Sequence, residues 1–172
     1  MMTLEEISAH LEIRQCLARY ARGIDRWDVE TLRSVYHPDA TDEHTVFSGL
    51  GWDFAEWIVN YARTNEGPSQ HHITHSLIEL DGDVAHVESY YLAYHEVREE
   101  GKEPQLLHTG GRYLDRFEQR DGEWKVARRI CTVDWSREHM PGEVWDGAKD
   151  FPKIGPKGVD PMYALFAEPA AS

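Results

Sequence analysis

The chain has 172 residues, of which 41% are hydrophobic, and its 18 basic against 31 acidic side chains give a formal net charge of −13. One globular domain with a real core fits this length, and the negative charge argues against nucleic acid and anionic membranes as partners. Two cysteines without metal or disulfide spacing, no signal-peptide pattern, and no apolar run of the roughly 20 residues that span a bilayer together predict a cytoplasmic protein.

The first predicted element is a helix over residues 4–22, which opens on the capping-box sequence Thr3-Leu4-Glu5-Glu6. Two apolar stripes at helical spacing indicate a wide buried face; they consist of Leu4, Ile7 and Leu11, and of Ile13, Leu17 and Tyr20. A straight helix would hold Tyr20 and Asp25 about 140° apart. We therefore expect Gly23 to end the helix in a turn that brings both side chains to one cavity.

Shorter elements follow the first helix. Asp28 has the position of an N-cap for a second helix over residues 29–36, which His37-Pro38-Asp39-Ala40 is expected to end. Residues 41–48 predict a short strand, residues 52–63 predict a third helix with an apolar face, and residues 65–69 predict a loop.

From residue 71 onwards β-branched and aromatic residues predict four long strands, at 71–80, 84–97, 105–120 and 124–135. The segments between them, at 81–83, 99–102 and 121–123, have the composition of hairpin turns. Helices followed by a meander indicate an α+β fold, with the helices packed on one face of a bent antiparallel sheet. Residues 1–135 are thus expected to form one domain.

A C-terminal extension at residues 136–172 holds five of the eight prolines. Its apolar residues are too numerous for a free tail; they are Met140, Val144, Trp145, Phe151, Met162, Tyr163, Leu165 and Phe166. We expect the extension to pack on the domain or on a neighbouring subunit.

Several motifs resemble one known family. They are Tyr-x4-Asp at the end of the first helix, His37-Pro38-Asp39-Ala40, His71-His72-Ile73-Thr74-His75, and the sequences at 110–117 and 121–126. Together they resemble the SnoaL-like branch of the nuclear transport factor 2-like superfamily over residues 4–135. The resemblance implies a cone in which a strongly curved sheet wraps round the helices and encloses a mostly apolar pocket. It also implies a homodimer or a larger homo-oligomer.

The resemblance implies a site as well, because dehydratases and dehydrochlorinases of this branch use an Asp–His pair inside the cone. By that resemblance His71 falls on the base and Asp25 on the carboxylate that orients it. Tyr20 matches a tyrosine of the bile acid dehydratases, and Arg129 falls near a pocket arginine. As catalytic residues, Tyr20 would donate a hydrogen bond to a carbonyl or a leaving hydroxyl, and Arg129 would hold a developing anion. The site would need no metal and no cofactor. Further substrate-binding candidates are Tyr36, Trp57, His75 and His108.

Each of these residues also has a structural interpretation. His71 and His72 must point to opposite faces of one strand, so that only one of them faces the pocket. Asp25 has the alternative of capping a turn, and Tyr20 that of packing in the core. Strand spacing separates His71 and His75 by about 13 Å, which argues against a metal site. Three further histidines, His44, His86 and His95, are expected on strand surfaces or at rims.

The sequence therefore favours a cofactor-independent lyase for a hydrophobic cyclic or aromatic small molecule. Such an enzyme would eliminate water or release another small group, such as formaldehyde, with His71 as the base. A ketosteroid-type isomerase is an alternative within the same cone. The other class is a protein without catalysis that binds a small ligand or serves as a dimerisation module.

Overall fold

The computed structural model describes residues 1–139, 152 and 155–167, and the fold is α+β. Its helices and strands in chain order are α1 Leu4–Asp25, α2 Val29–Arg33, β1 Tyr36–His44, β2 Phe47–Leu50, α3 Gly51–Asn65, β3 Glu66–Asp81, β4 Val84–Val97, β5 Gln105–Arg120, β6 Glu123–His139 and α4 Pro161–Phe166.

The six strands form one curved, unclosed sheet in the order β2-β1-β6-β5-β4-β3. All neighbouring strands are antiparallel except β1 and β6, which are parallel. The helices pack against the sheet around a core that includes Ile13, Leu17, Phe54, Val59 and Phe117. The predicted α+β cone with N-terminal helices in a curved sheet is therefore confirmed.

The prediction that α1 breaks at Gly23 was wrong, because the helix continues to Asp25. It ends in a Schellman motif in which the N–H of Asp28 donates to the carbonyl of Gly23 at 2.9 Å, and that of Trp27 to the carbonyl of Ile24 at 3.3 Å. Trp27, with a φ of 54°, takes the left-handed position that glycine usually occupies in this motif. Tyr20 and Asp25 thus lie on one uninterrupted helix, and strand residues of the curved sheet contact both of them.

Gly23 instead allows α2 to approach α1 closely. A Cβ at this position would lie 2.9 Å from the Leu32 Cγ and 3.0 Å from the Leu32 backbone nitrogen. Gly-to-Ala exchange within a helix ordinarily stabilises by about 0.5–1 kcal/mol, but overpacking costs about 1–3 kcal/mol. Because the two effects oppose each other, we expect Gly23→Ala to lower the free energy of unfolding in urea by about 1–2 kcal/mol.

The matched control for this prediction is Ala21→Gly, at a partly buried position of the same helix. It should cost only about 1 kcal/mol, because it changes backbone entropy and not the packing against α2. An unchanged or raised stability of Gly23→Ala would show that α2 moves aside without cost.

Other element boundaries also differ from the predictions. The second helix ends at Arg33, and the segment expected to terminate it lies in β1, where the ladder with β6 shifts register between Tyr36 and Thr41 and so accommodates Pro38. The expected loop at 65–69 is instead the end of α3 at Asn65 and the start of β3. This edge strand shifts register against β4 between Glu66 and Ser69 and so accommodates Pro68. The predicted strand at 41–48 is split into the β1–β2 hairpin.

The capping box at Thr3, the N-cap at Asp28 and the four long strands of the meander are confirmed. Only one of the two predicted apolar stripes of α1 is buried: Ile13, Leu17 and Tyr20 lie in the core, whereas the other stripe is exposed. Its residues, Leu4, Ile7 and Leu11, are 81%, 43% and 58% exposed.

The described part of the C-terminal extension contacts the end of α1. Lys157 donates from its backbone nitrogen to the carbonyl of Arg26 at 2.8 Å and from Nζ to Asp28 at 3.0 Å. The Tyr163 hydroxyl donates to the same carboxylate at 3.0 Å, and Arg26 pairs with Asp160 at 3.3 Å. The apolar residues predicted to pack at 140–151 lie outside the described residues.

Candidate active site

A cavity of about 230 Å³ opens between α1, α3 and the concave face of the sheet. Most of the side chains around it are apolar or aromatic, and a few polar groups interrupt this lining. The lining residues that matter for chemistry are Tyr20, His44, His71, His95, Tyr113 and Cys131. An apolar cavity with a few convergent polar groups is the usual form of a small-molecule site.

His71 and Asp25 form a hydrogen-bonded pair beside this cavity. The Nδ1 of His71 lies 2.7 Å from an Asp25 carboxylate oxygen, and both side chains are nearly buried, with exposures of 6% and 10%. Asp25 also accepts the backbone N–H of His71 at 3.1 Å and the hydroxyl of Ser69 at 3.2 Å. A carboxylate accepts hydrogen bonds, so Nδ1 carries the proton and Nε2 is left as the basic nitrogen.

The pKa of His71 lies below its ordinary value. Burial disfavours the imidazolium and is the largest cause of this lowering, which the Asp25 carboxylate offsets only in part. His71 is therefore neutral at pH 7. Its neighbour His72 is exposed and packs on Tyr94 at 5.7 Å, so that the first histidine of the predicted pair faces the helices and the second faces away.

Tyr20 also reaches the cavity, whereas Arg129 does not line it. The Arg129 guanidinium is fully buried and donates to both carboxylate oxygens of Asp115, at 2.8 and 2.7 Å. It lies over the rings of Tyr20 and Tyr113, with distances of 4.1 and 4.3 Å to the ring centroids. Arg129 thus packs against the rings of two tyrosines that line the cavity.

The four further candidates for substrate binding lie outside the cavity lining. Tyr36 is buried and donates to Asp42 at 2.7 Å, and Trp57 packs on Phe47 at 5.5 Å. His75 stacks on Tyr90 at 4.4 Å, and His108 packs on Tyr94 at 4.8 Å. Sequence spacing does not give the register of the strands, so it does not show which side chains face the cavity. In the folded protein each of these four side chains packs against other residues instead.

The prediction that His44 and His95 lie at surfaces or rims was wrong, because both line the cavity. His44 is also held by a carboxylate. Its Nδ1 is hydrogen-bonded to Asp42, and its ring stacks on Phe54 with 4.3 Å between the centroids. The spacing of two residues along a strand, which puts Asp42 and His44 on one face, was the available signal. The same spacing puts Cys131 on the face of β6 that Arg129 occupies, and it was the available signal for Cys131 as well.

Comparison with known protein families identifies the family of this chain. The model of the SnoaL-like domain matches residues 5–130. The chain belongs to the SnoaL-like domain family. An uncharacterised protein of Mycobacterium tuberculosis is 27% identical over 135 residues, which cover 77% of this chain and 90% of that protein.

Two solved structures show the same fold as this SnoaL-like chain. Hexachlorocyclohexane dehydrochlorinase type 3 from Novosphingobium barchaimii is 18% identical, with a TM-score of 0.73 over 83% of this chain and 97% of that one. A provisionally assigned scytalone dehydratase from Novosphingobium aromaticivorans is 22% identical, with a TM-score of 0.69 over 91% and 98%.

The described part of the chain was also compared with the requirements for a metal site and for a membrane-spanning helix. Within residues 1–139, 152 and 155–167, no group of three His, Cys, Asp or Glu side chains is arranged to hold a metal ion. In the same part of the chain, no helix is long and apolar enough to cross a membrane.

Proposed function

We propose that this SnoaL-like protein is a cofactor-independent lyase that removes a proton from a compact, ring-containing hydrophobic molecule and eliminates water or another small group. The observation that carries the proposal is the Asp25–His71 pair at an apolar cavity, with Nδ1 of His71 bonded at 2.7 Å. The dehydrochlorinase and dehydratase among the structural neighbours support the same reaction class.

His71 is the base in this proposal. Its free Nε2 takes the proton, while Asp25 fixes the tautomer and stabilises the imidazolium that forms. The lowered pKa keeps the ring unprotonated at pH 7, which a base requires. A proton is removed from carbon more easily when the developing negative charge is delocalised, so the proposal favours a substrate with a carbonyl or an equivalent group next to the reacting carbon.

The cavity limits the size of the substrate. Its volume of about 230 Å³ is smaller than the roughly 300–1,000 Å³ of pockets for drug-sized ligands. One or two rings fill such a space, and a four-ring steroid exceeds it. The proposal therefore favours a small aromatic or cyclic ketone over the steroid of the isomerase alternative.

Two probes test the proposal. Propiophenone has an activated C–H bond and no leaving group, and we expect the protein to exchange its α protons for deuterium in D₂O, as followed by NMR. The β-hydroxy derivative should lose water to give the enone, as followed by absorbance and mass. Protein heated to unfolding is the control. Binding of both probes without exchange or elimination would contradict a lyase and leave a ligand-binding protein.

A further inference from the structure

The cavity contains a second histidine–carboxylate pair, which the proton abstraction by His71 does not use. The Nδ1 of His44 donates to one carboxylate oxygen of Asp42, and the Tyr36 hydroxyl donates to the other at 2.7 Å. Asp42 is completely buried. Both partners of its carboxylate are thus side-chain donors, and solvent does not compete with them.

The ring of His44 is held so that its second nitrogen meets the cavity. Phe54 stacks on one face at 4.3 Å, and Nε2 lies 3.5 Å from the hydroxyl of Tyr20. Tyr20 and His44 both line the cavity, together with His71. A donor on Nε2, beside the Tyr20 hydroxyl, therefore lies at the same cavity as His71.

The two histidines differ in charge. Burial disfavours the imidazolium of His44, but hydrogen bonds with Asp42 and Cys131 outweigh this and raise its pKa to about 9. The other groups that face it are Tyr20 from α1 and Tyr113 from β5, with the Arg129–Asp115 pair behind them. At His71, by contrast, burial is the larger effect on the pKa, and the hydrogen bond with Asp25 offsets it only in part.

We propose that His44, held by Asp42, is the general acid that protonates the leaving group while His71 acts as the base. The inference rests on the lyase function proposed above. Two titratable groups whose environments separate their charge states are the usual arrangement for paired acid and base catalysis.

Two protons move in this elimination. The Nε2 of His71 takes the proton from carbon, and the electrons of that C–H bond form the new C=C bond. The C–O bond breaks with its electrons on oxygen, and the Nε2–H of His44 supplies the proton that makes water. His71 then returns its proton to solvent, and His44 regains one. No oxidant, reductant or further reactant takes part.

Leaving groups of different basicity test this role. Hydroxide needs a proton to leave, and chloride does not, so we compare β-hydroxypropiophenone with β-chloropropiophenone, correcting for uncatalysed elimination. His44→Gln should lower kcat/KM for the hydroxy ketone by about 10²–10⁴-fold and for the chloro ketone by less than about 10-fold. The control is His95→Gln, which changes another histidine of the cavity and should affect both ketones equally.

The pH profile gives a second measurement. With the hydroxy ketone, kcat/KM of the unmodified protein should fall above about pH 9 as His44 loses its proton, and this limb should be absent in His44→Gln. Asp42→Asn, which removes the carboxylate beside His44 and also alters the hydrogen bond from Tyr36, should move the limb to lower pH. NMR of the imidazole C–H signals follows the same titration in the ligand-free protein.

The outcomes separate the two proposals. An equal loss on both ketones in His44→Gln overturns the acid role and leaves the lyase, and a His44 pKa below 7 does the same without any turnover. Elimination of neither ketone by the unmodified protein overturns the lyase and the acid role together. A loss confined to the hydroxy ketone, with the alkaline limb removed, supports both.

Discussion

Replacing His71 by glutamine is expected to lower kcat/KM for proton abstraction by about 10²–10⁴-fold, the usual contribution of a general base. Glutamine has a similar reach and keeps a polar group near Asp25, but it cannot take a proton at neutral pH. α-Proton exchange of propiophenone measures the step directly, because that ketone has no leaving group. In the unmodified protein the rate should fall as the pH drops through the lowered pKa of His71.

Asp25→Asn tests the orientation of the base without removing it. The asparagine amide is expected to donate to Nδ1 of His71, which moves the ring proton to Nε2 and leaves no basic nitrogen at the cavity. Loss of the correct tautomer costs as much as about 10⁴-fold in a related catalytic arrangement. The double variant with His71→Gln should be no worse than the poorer single variant, because both residues serve one step.

Ser69→Ala is the matched control for Asp25→Asn. It removes one of the hydrogen bonds to the Asp25 carboxylate, at 3.2 Å, and leaves the bond to Nδ1 intact. We expect less than about a 10-fold change in exchange rate. ¹⁵N NMR of His71 reports the tautomer independently of activity. Full activity of Asp25→Asn, with its tautomer changed, would show that His71 is not the base.

The fold could be predicted from this sequence because its signals are local and repeated. The capping box at Thr3, the N-cap at Asp28 and the turn at Asp121-Gly122, where both residues have positive φ, each depend on a few neighbouring residues. The errors arose where distant contacts decide. Gly23 was interpreted as a break because its close approach to Leu32 is invisible in the local sequence.

The candidate site likewise combines residues that the sequence indicates with residues that only the fold brings together. The resemblance supplied Asp25 and His71, which lie within hydrogen-bond distance of one another. The spacing on β1 gives Asp42 and His44 a common face, but only the position of β1 beside β6 in the sheet brings that face to the cavity. Likewise Arg129 was assigned to the pocket, although the burial of Asp115 on β5 decides where its guanidinium lies.

The buried ion pair between Arg129 and Asp115 gives the largest expected effect on stability. Both side chains have zero exposure, and the Nη1 of Arg129 has no hydrogen-bond partner among the described residues. Asp115→Asn would leave the guanidinium without its counter-charge, and removing one partner of a buried pair costs about 3–5 kcal/mol. We expect a loss of this size in the free energy of unfolding, measured in urea.

Arg128→Met is the control, because the adjacent Arg128 pairs with Glu43 at 2.9 Å where both side chains are about half exposed. Such a surface pair contributes about 0–1 kcal/mol. The double variant Arg129→Met with Asp115→Asn removes the unpaired charge and should be more stable than Asp115→Asn alone. A double variant less stable than either single one would contradict this account.

The same pair predicts how Arg129 affects turnover. Its guanidinium lies 4.1 Å from the Tyr20 ring and 4.3 Å from the Tyr113 ring, and both tyrosines line the cavity that Arg129 itself does not reach. Arg129→Met should therefore change activity through the positions of these rings, in parallel with the loss of stability. If the variant kept its stability and still lost exchange by about 10²-fold or more, Arg129 would have to contact the reacting molecule directly, as the resemblance had implied.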